Sequence, residues 1–447
     1  MGQSFLEFAK TGLHKAMQNG ADHAELFVVK GRSFEVELKN NHIDDMKQAE
    51  SSGVGLRVLK DGRAGFSFSS DFRTTALDKM VVQAITNSRY SDKDETLYFP
   101  TPANHYPQPI CYDGTVKKIS LDEKWDLARE TTHYAEQYDS RVKQVERSCY
   151  EDGEVEMWLA NSNGVFLHQL GNYCGLSCLA LGAQNGEQQS GYGMDSNIRY
   201  TGLSAKTAGE MAARRAVQML GAAQIESGKM DLVLEPMIAA QIMGIISSCF
   251  SGEAVRKKKS FLAGKLGDAV ANSQLTLIDD GTLDYHMGSA SFDGEGMPTQ
   301  RTVLIENGVL QQYLYDTASA AKAGTSSTGN GMRGGYKGTP HVGTTNYYVK
   351  AGSIAPAQLI SEVSYGVYIT DIMGSHTANA VSGDFSFGAS GILIEHGQLT
   401  HPVRGITIAG NFQQLLQKIS GIGSDLTFFG SQGAPTIRIA EIAVSGK

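Results

Sequence analysis

Residues 239–260 read AAQIMGIISSCFSGEAVRKKKS, and this stretch decides how the rest of the chain is interpreted. It begins like a buried helix, loses its apolar character about halfway and ends in the basic run 256–259. Residues 230–234 are predicted to form a strand that leads into Glu235 and Pro236. Proline is favoured at the first helical position because its missing N–H would be unpaired there in any residue. The first question is whether this buried helix carries a reactive centre.

Length and composition describe a globular protein of more than one domain. A chain of 447 residues suggests about two or three domains of roughly 150 residues each. Apolar residues make up 41%, charged residues only 19%, and the 51 glycines indicate many turns and strand ends. The formal net charge of −8 argues against a broad nucleic-acid surface, since phosphate binding needs clustered Lys and Arg. Direct nucleic-acid binding is therefore not expected.

No targeting, membrane or disulfide pattern is evident. Residues 1–26 lack a long uncharged apolar core and are predicted to begin with an amphipathic helix, not a signal peptide. The longest apolar stretch, 237–250, is too short to cross a bilayer. A cytoplasmic location without membrane association is therefore expected. Five cysteines in so long a chain do not form a disulfide framework, and Cys174 and Cys178 are predicted to be packing residues rather than metal ligands.

The chain divides into three units and a linker. The predicted boundaries are 1–98 for an N-terminal α+β domain, 99–118 for the linker, 119–226 for a middle α+β domain and 227–447 for a strand-rich C-terminal domain. The linker is assigned because the segment YFPTPANHYPQPICYDG contains four prolines. The predicted fold class is α+β and multi-domain, with mixed and antiparallel sheets and many hairpins.

Local patterns place the individual elements. Helices are predicted at residues 4–18, 73–88, 121–138 and 205–220, the third after a capping box at Ser120 and Glu123. Strands are predicted at residues 25–38, 53–68, 141–149, 153–160 and 164–181. Hairpin turns are predicted at four X-Gly pairs, which favour the tight turns that join antiparallel strands: Asp61-Gly62, Asn163-Gly164, Asn307-Gly308 and His396-Gly397.

Several motifs with possible chemistry are better explained as structural. The segment Gly329-Asn-Gly331-Met-Arg-Gly334 has the spacing of a dinucleotide fingerprint, but no strand precedes it and no helix follows, so we expect a flexible or substrate-contacting loop. The basic run 256–259 is predicted to be a solvated turn. His396 and His401 lie five apart around the last hairpin, which does not suit helical metal ligands, and are expected at the surface.

Long ordered blocks of the sequence resemble the PmbA/TldD family, whose members are often described as modulators of DNA gyrase. These blocks are SGEAVRKKKSFLAGKLG, FDGEGMPTQRTVLIENGVLQQYLYD, STGNGMRG and the region from EVSYGVYITDIMG through SGDFSFGASG to HPVRGITIAGN. The resemblance covers essentially the whole chain and is strongest for the PmbA branch, also called TldE. It implies a PmbA/TldD-like fold.

In the family, the TldD branch is a zinc peptidase that carries His-Glu-x-x-x-His on this same helix and a zinc-binding Cys near the C-terminus. The six corresponding positions here run from Met243 to Ser248, so that Met243, Gly244 and Ser248 replace the two ligands and the base, with Ser247 beside them. The segment TFFGSQGAPTIRIAEIAVSGK also lacks a cysteine. A thioether and a hydroxyl cannot replace two imidazoles for zinc. We therefore expect no metal, no cofactor and no catalytic residue in this chain.

The resemblance also implies a function. The chain is expected to be the non-catalytic subunit of a TldD/TldE-like peptidase, which shapes a chamber and holds unfolded peptide for cleavage at the zinc of a TldD-type partner. Without that partner a homodimer is expected. The alternative is a regulatory binding protein that modulates DNA gyrase without proteolysis. A metal-free hydrolase would need Ser247 or Ser248 with a base such as His376, and nothing in the spacing assembles them. Whether the chain is an enzyme stays open.

Peptide contacts are predicted in and after the glycine-rich loop, because extended peptides bind through backbone hydrogen bonds to strand edges or mobile loops. The candidate peptide-binding residues are Ser327, Asn330, Arg333, Thr344, Thr345 and Asn346. Asp384 and Arg404 lie in the two best-matching blocks and are predicted to be a structural ion pair or hydrogen-bonding residues.

Overall fold

The N-terminal half of the chain builds one antiparallel sheet with helices on one face. The computed structural model describes residues 2–40 and 42–447. In chain order, the elements of this half are α1 (Gly2–Gln18), β1 (His23–Lys39), β2 (His42–Lys60), β3 (Arg63–Ser69), α2 (Thr74–Ser88), α3 (Leu121–Tyr138), β4 (Val142–Asn161), β5 (Phe166–Gln184), β6 (Glu187–Asn197) and α4 (Ala205–Gln218). The strand order in the sheet is β3-β2-β1-β4-β5-β6.

Strand β1 shows how the two faces of this sheet differ. Its even-numbered residues Leu26 and Val28 pack with α1 and α2, and its even-numbered Phe34 and Val36 pack with α3 and α4. Because side chains alternate along a strand, all four helices lie on the same face. The odd-numbered Phe27 lies on the opposite face, in a cluster with Phe292 of the C-terminal half. The C-terminal half covers only the part of this second face around Phe27 in this way.

This sheet changes the predicted organisation in two respects. The predicted units 1–98 and 119–226 both contribute three strands to it, and β1 pairs with β4 along fourteen residues from Glu25↔Asn161 to Leu38↔Ser148. The two strands predicted at 141–149 and 153–160 form one continuous strand, β4, because the intervening residues stay paired with both β1 and β5. The boundary between the first two units is therefore not a boundary between sheets.

The C-terminal half contains two further six-stranded sheets. Its elements are β7 (Gly228–Leu234), α5 (Pro236–Ile246), α6 (Gly252–Arg256), β8 (Leu277–Asp280), β9 (Arg301–Glu306), β10 (Val309–Leu310), α7 (Thr317–Ala323), β11 (Gly331–Met332), β12 (His341–Val342), β13 (Tyr347–Val349), α8 (Pro356–Ser361), β14 (Tyr365–Met373), β15 (Asp384–Glu395), β16 (Gln398–Asn411), α9 (Phe412–Gln417), β17 (Ile419–Ile422), β18 (Thr427–Phe429), β19 (Gln432–Ala434) and β20 (Ile437–Ser445).

The two six-stranded sheets of the C-terminal half have the strand orders β10-β9-β8-β13-β19-β18 and β16-β15-β14-β7-β20-β17. Strands β11 and β12 form a separate two-stranded ribbon. Two pairings are parallel, β13 with β19 and β14 with β7, so both large sheets are mixed. Helix α5 contacts strands of both sheets, and its apolar side chains belong to the largest hydrophobic cluster of the protein. No helix in the described ranges is long and apolar enough to cross a membrane.

The predicted hairpin turns are confirmed. At Asp61-Gly62, Asn307-Gly308 and His396-Gly397 both residues have positive φ, between 47° and 82°, as a type I′ turn requires. The glycine tolerates this left-handed backbone because it has no Cβ. The fourth turn, at Gly164 with φ 93°, joins β4 to β5.

Candidate functional site

Helix α5 begins as the sequence predicts, with Pro236 at its first position. The preceding Glu235 is buried and accepts hydrogen bonds from Arg214 at 2.6 Å and Arg215 at 3.1 Å, both on α4. This ion pair ties the start of the helix to the N-terminal half. The helix is shorter than the apolar stretch, because α5 ends at Ile246 and Ser247–Phe250 form a 3₁₀ turn.

The positions that correspond to the metal-binding motif do not converge. Met243 is 1% exposed and packs in the core, whereas Ser248 is exposed after the helix has ended. A Cβ at Gly244 would collide with the side chain of Gln432, so the place of the general base is occupied by packing. A zinc ion needs imidazole, thiolate or carboxylate donors that converge on one point. The residues present here do not fit zinc.

Other donors do not restore a site. Cys249 follows the helix, but burial raises the pKa of its thiol to about 11. Within the described ranges, the one group with metal-binding spacing is Glu35, Glu37 and Cys149 on the N-terminal sheet. Burial, and then the charges of the two glutamates, raise the pKa of Cys149 to about 12. Zinc ligation uses the thiolate, so this group is poorly matched to the metal.

A serine hydrolase arrangement is also absent among the described residues. His376 is exposed in the 3₁₀ turn Ser375–Thr377 and has no hydrogen bond to Ser247 or Ser248 there. A nucleophile needs a base within hydrogen-bond reach.

Two of the candidate peptide-binding residues form a buried network around Asp279. Asn330 donates from Nδ2 to Asp279 Oδ2 at 2.7 Å and to the carbonyl of Gly343 at 2.9 Å. Thr345 donates its backbone N–H to Asp279 Oδ1 at 2.7 Å and its hydroxyl to Oδ2 at 2.8 Å. Burial is the main cause that raises the pKa of Asp279 to about 6, although these hydrogen bonds act against it.

Two further candidates, Asn346 and Ser327, also form hydrogen bonds within the chain. Asn346 is 0% exposed, donates to the carbonyl of Asp280 and to Ser289, and accepts from the N–H of Gly288. The half-buried Ser327 donates to the carbonyl of Tyr315 at 3.1 Å. The interpretation of Asn330, Thr345 and Asn346 as accessible peptide contacts is therefore corrected, because each is buried and hydrogen-bonded inside the protein. Thr344 is half-buried and remains a candidate.

The sixth candidate, Arg333, is buried and joins the two halves of the molecule. Its guanidinium pairs with Glu25 on β1 and lies 4.7 Å from the ring centroid of Phe27. Arg57 lies 3.5 Å from Glu25 and 3.6 Å from Glu295 and connects them. Arg333 therefore fixes the glycine-rich loop to the N-terminal sheet, which corrects the expectation of a flexible loop.

Two carboxylates beside this ionic cluster share an unusual environment. Asp293 and Glu295 are 4% and 2% exposed, and both approach Gly331. Burial, followed by the charge of Glu295, raises the pKa of Asp293 to about 8. Burial likewise raises the pKa of Glu295. Sequence patterns did not reveal this pair, although FDGEG places two acids on either side of one glycine.

The remaining charged candidates are at the surface. Arg256 and Lys257 pair with Glu253, and Lys257–Lys259 are exposed, so the basic run is a solvated turn as predicted. His396 lies in its hairpin turn and His401 is exposed. Asp384 and Arg404 do not pair with each other.

Their actual partners are polar residues nearby. Arg404 donates to Glu187 at 2.9 Å, and Asp384 accepts from Asn411 at 2.9 Å. Arg404 therefore forms a structural ion pair with Glu187, and Asp384 is a hydrogen-bonding residue. Cys174 and Cys178 are buried packing residues, as predicted.

A cavity of about 420 Å³ lies between the second face of the N-terminal sheet and the C-terminal half. The sheet contributes Gly31, Val155 and Tyr173, and the C-terminal half contributes Met287 and Met332. The sequence does not reveal this cavity, because it arises where two distant halves of the chain meet. The only local signal was the unusual presence of glycines inside long strands.

Three family profiles match the chain along most of its length. They are described as PmbA/TldA metallopeptidase domain 1, at residues 24–88, the central domain, at residues 114–220, and the C-terminal domain, at residues 227–446. The chain therefore belongs to the PmbA/TldD family of metallopeptidases, and the family resemblance is confirmed.

Individual relatives agree with this assignment. The chain is 25% identical to the metalloprotease PmbA of Escherichia coli O157:H7, over 100% of this chain and 97% of that protein. It is 29% identical to a metalloprotease TldD homologue of Buchnera aphidicola, over 87% of this chain and 82% of that protein. Among solved structures, a protein of Thermotoga maritima named as a candidate modulator of DNA gyrase matches with a TM-score of 0.90 and 29% identity, over 99% of this chain and 100% of that one.

Proposed function

We propose that this protein is the non-catalytic, PmbA- or TldE-type subunit of a two-chain zinc peptidase. The observation that carries the proposal is helix α5. It lies in the C-terminal domain that defines a metallopeptidase family, yet Met243 is buried in the core, Gly244 is packed against Gln432, and Ser248 is exposed beyond the helix end. Such a helix retains the scaffold of the family and lacks its metal donors.

The proposal assigns the chemistry to a TldD-type partner. Zinc on the partner would activate water for peptide hydrolysis, which no group on α5 can do. This chain would supply a wall of the chamber, because the second face of its N-terminal sheet is covered only at the inner end. A wall accelerates cleavage by holding the substrate in position, and this needs no titratable group.

A homodimer is proposed for the chain without its partner. A surface built for a second subunit is incompletely covered when that subunit is missing, and self-association is the usual way to cover it. Sedimentation of the purified chain at micromolar concentration should show a dimer, and a monomer at all concentrations would count against a chamber-forming role. A cytoplasmic location stays a prediction.

The test of the proposal is a cleavage assay on a disordered peptide with four samples. They contain this chain, a TldD-type chain from the same source, both chains, or both chains with a zinc chelator. We expect no cleavage by this chain, an increase when it is added to the partner, and loss of cleavage with chelator. Cleavage by this chain alone that survives the chelator would refute the proposal. If the partner's cleavage rate does not change, the alternative of a regulatory protein that acts on DNA gyrase is favoured.

A further inference from the structure

The cavity on the second face of the N-terminal sheet has the size and lining of a binding site. Its volume of about 420 Å³ lies within the range of roughly 300–1,000 Å³ that is typical of ligand pockets. Three methionines line it, Met157 from the sheet and Met287 and Met332 from the C-terminal half. Methionine is unbranched and polarizable, so these side chains can adapt to different apolar groups.

The floor of the cavity consists of small residues in register across four strands. Ser51 on β2 lies opposite Gly31 on β1, which lies opposite Val155 on β4, which lies opposite Gly171 on β5. Residues directly opposite each other point to the same face of a sheet. Phe27, four residues before Gly31 on β1, lies on the same face and is bulky. The cavity therefore opens where the side chains on this face become small.

The cavity continues inward toward the ionic cluster. A smaller cavity of about 100 Å³ shares Met157 and Met332 with the larger one and reaches Asp293, Arg333 and Thr345. The Nε atom of Arg333 is buried and has no hydrogen-bond partner in the described structure. The apolar cavity therefore ends at a buried polar group that is not fully satisfied.

Strand β2 provides an open edge beside this cavity. β3 pairs only with Val54–Lys60, and no other strand in the described chain covers residues 42–53 on that side. Residues 42–51 are exposed, Ser52 is half-buried and Gly53 is buried. Ala49 and Ser51 belong both to this open edge and to the cavity lining. An unpaired edge offers N–H and C=O groups to an extended chain.

Charges near the edge favour a basic partner. On the cavity side of the sheet, Glu35 lies opposite Lys47 and Glu151, and Glu37 lies opposite Asp45. With Arg147, which lies 3.6 Å from Glu37, the patch holds four carboxylates and two cations. A surface with this excess attracts basic side chains and repels acidic ones, in a way that salt weakens.

We propose that residues 42–53 of β2 bind an extended, unfolded peptide as an added strand, and that the adjacent cavity receives one large apolar side chain flanked by basic residues. This inference rests on the proposed function and names the place where this chain holds the substrate. Strand addition supplies backbone hydrogen bonds for affinity, and a pocket for an alternate side chain supplies selectivity.

The first experiment measures binding of a fluorescent unstructured peptide to the isolated chain by anisotropy. The probe has one central tryptophan between lysines. We expect the Kd to rise at least tenfold when tryptophan is replaced by alanine, and at least tenfold when alternate amides of the peptide are N-methylated on the edge that would pair with β2. N-methylation leaves the side chains unchanged, so it isolates strand addition. Equal affinity of all three peptides would overturn the proposal.

The second experiment fills the cavity. A Cβ at Gly171 would lie 3.5 Å from Val155 and 3.8 Å from the carbonyl of Cys111, which are ordinary contact distances, so Gly171→Leu should fold and occupy the floor. Gln184→Leu adds the same side chain at an exposed position of the same strand and is the matched control. We expect tenfold weaker binding for Gly171→Leu only. Ser51→Leu tests the same floor from β2 if the first variant melts early.

The third experiment separates this inference from the proposed function. Wild-type, Gly171→Leu and Gln184→Leu chains are each added to a TldD-type partner that cleaves the tryptophan peptide. If wild type raises cleavage and Gly171→Leu raises it equally, the binding site is wrong while the subunit role stands. If wild type has no effect but peptide binding depends on Gly171, the subunit role fails and the site stands.

Sedimentation with and without peptide tests the open edge of β2 itself, since a dimer that excludes peptide from β2 would overturn the proposal.

Discussion

The C-terminal half contains two buried regions that are stabilised in opposite ways. Helix α5 and the following 3₁₀ turn bury apolar side chains between two sheets, with Ile246 at 1% and Phe250 at 0% exposure. The network of Asn330, Thr345 and Asp279 buries polar atoms, each matched by a hydrogen bond. The comparison teaches that burial alone does not reveal a site. The apolar region around α5 is held by packing of side chains, and the network uses its polar groups to hold the fold.

The largest effect is expected from a charge placed in the apolar region. Phe250→Asp removes a fully buried ring and introduces an unpaired carboxylate, which should cost about 4–5 kcal/mol or more. Ser248→Asp, two residues away at an exposed position, is the matched control and should change stability by less than about 0.5 kcal/mol. Urea denaturation followed by circular dichroism measures both. Similar midpoints for the two variants would mean that the 3₁₀ turn is not buried.

A smaller effect is expected from removal of one donor in the polar region. Asn330→Ala leaves Asp279 Oδ2 with only the hydrogen bond from the Thr345 hydroxyl and removes the side-chain donor to the carbonyl of Gly343, so we expect a loss of about 2–3 kcal/mol. Thr344→Ala, in the same segment but half-buried, should cost less than about 1 kcal/mol. Thermal melting distinguishes them. If Asn330→Ala retained the wild-type melting temperature but lost peptide binding, Asn330 would be a contact residue after all.

The smallest effect is a dependence on pH. Burial raises the pKa of Asp279 from its usual value of 3.8 to about 6, so the native state binds this proton more tightly than the unfolded state. Its contribution to stability is therefore full below about pH 4 and decreases as the pH rises to 6, by at most about 3 kcal/mol. The raised pKa of Asp293, about 8, gives the same sign over a window that extends to pH 8.

The measurement compares wild type with Asp279→Asn between pH 4 and pH 8 by urea denaturation. Asparagine cannot accept all of the hydrogen bonds from Asn330 and Thr345, so the variant should be less stable throughout. The difference in free energy of unfolding between the two proteins should shrink as the pH rises through 4–6. A difference that grows over this interval would show that Asp279 is ionised more easily in the folded state than assigned here.

The sequence predicted the helix better than the network for a physical reason. The start of α5 depends on Pro236, and the missing chemistry depends on residue types at Met243, Gly244 and Ser248, all of which are local. The role of Asn330 depends on Asp279, which lies 51 positions earlier in the chain, on strand β8. In the sequence, a polar loop residue that binds a ligand cannot be distinguished from one that forms a hydrogen bond to a buried carboxylate.

The same distinction applies to the sheets. Hairpins such as β2–β3 follow from an X-Gly pair between neighbouring strands and were predictable. The pairing of β1 with β4 joins Glu25 to Asn161 across more than a hundred residues and makes one sheet of two predicted units. The cavity and the open edge of β2 follow from that pairing and from the docking of Arg333 onto Glu25. No short-range sequence pattern specifies the β1–β4 pairing or the contact between Arg333 and Glu25.

Elemental analysis of the purified chain after mild chelation measures whether this protein binds zinc. A TldD-type chain prepared in the same way serves as the positive control. Because Met243, Gly244 and Ser248 provide no zinc donors on one side of the helix, this chain should contain far less than one zinc per molecule while the control retains it. About one zinc per chain in this protein after chelation would contradict the claim that it contributes the scaffold of a metallopeptidase without its metal.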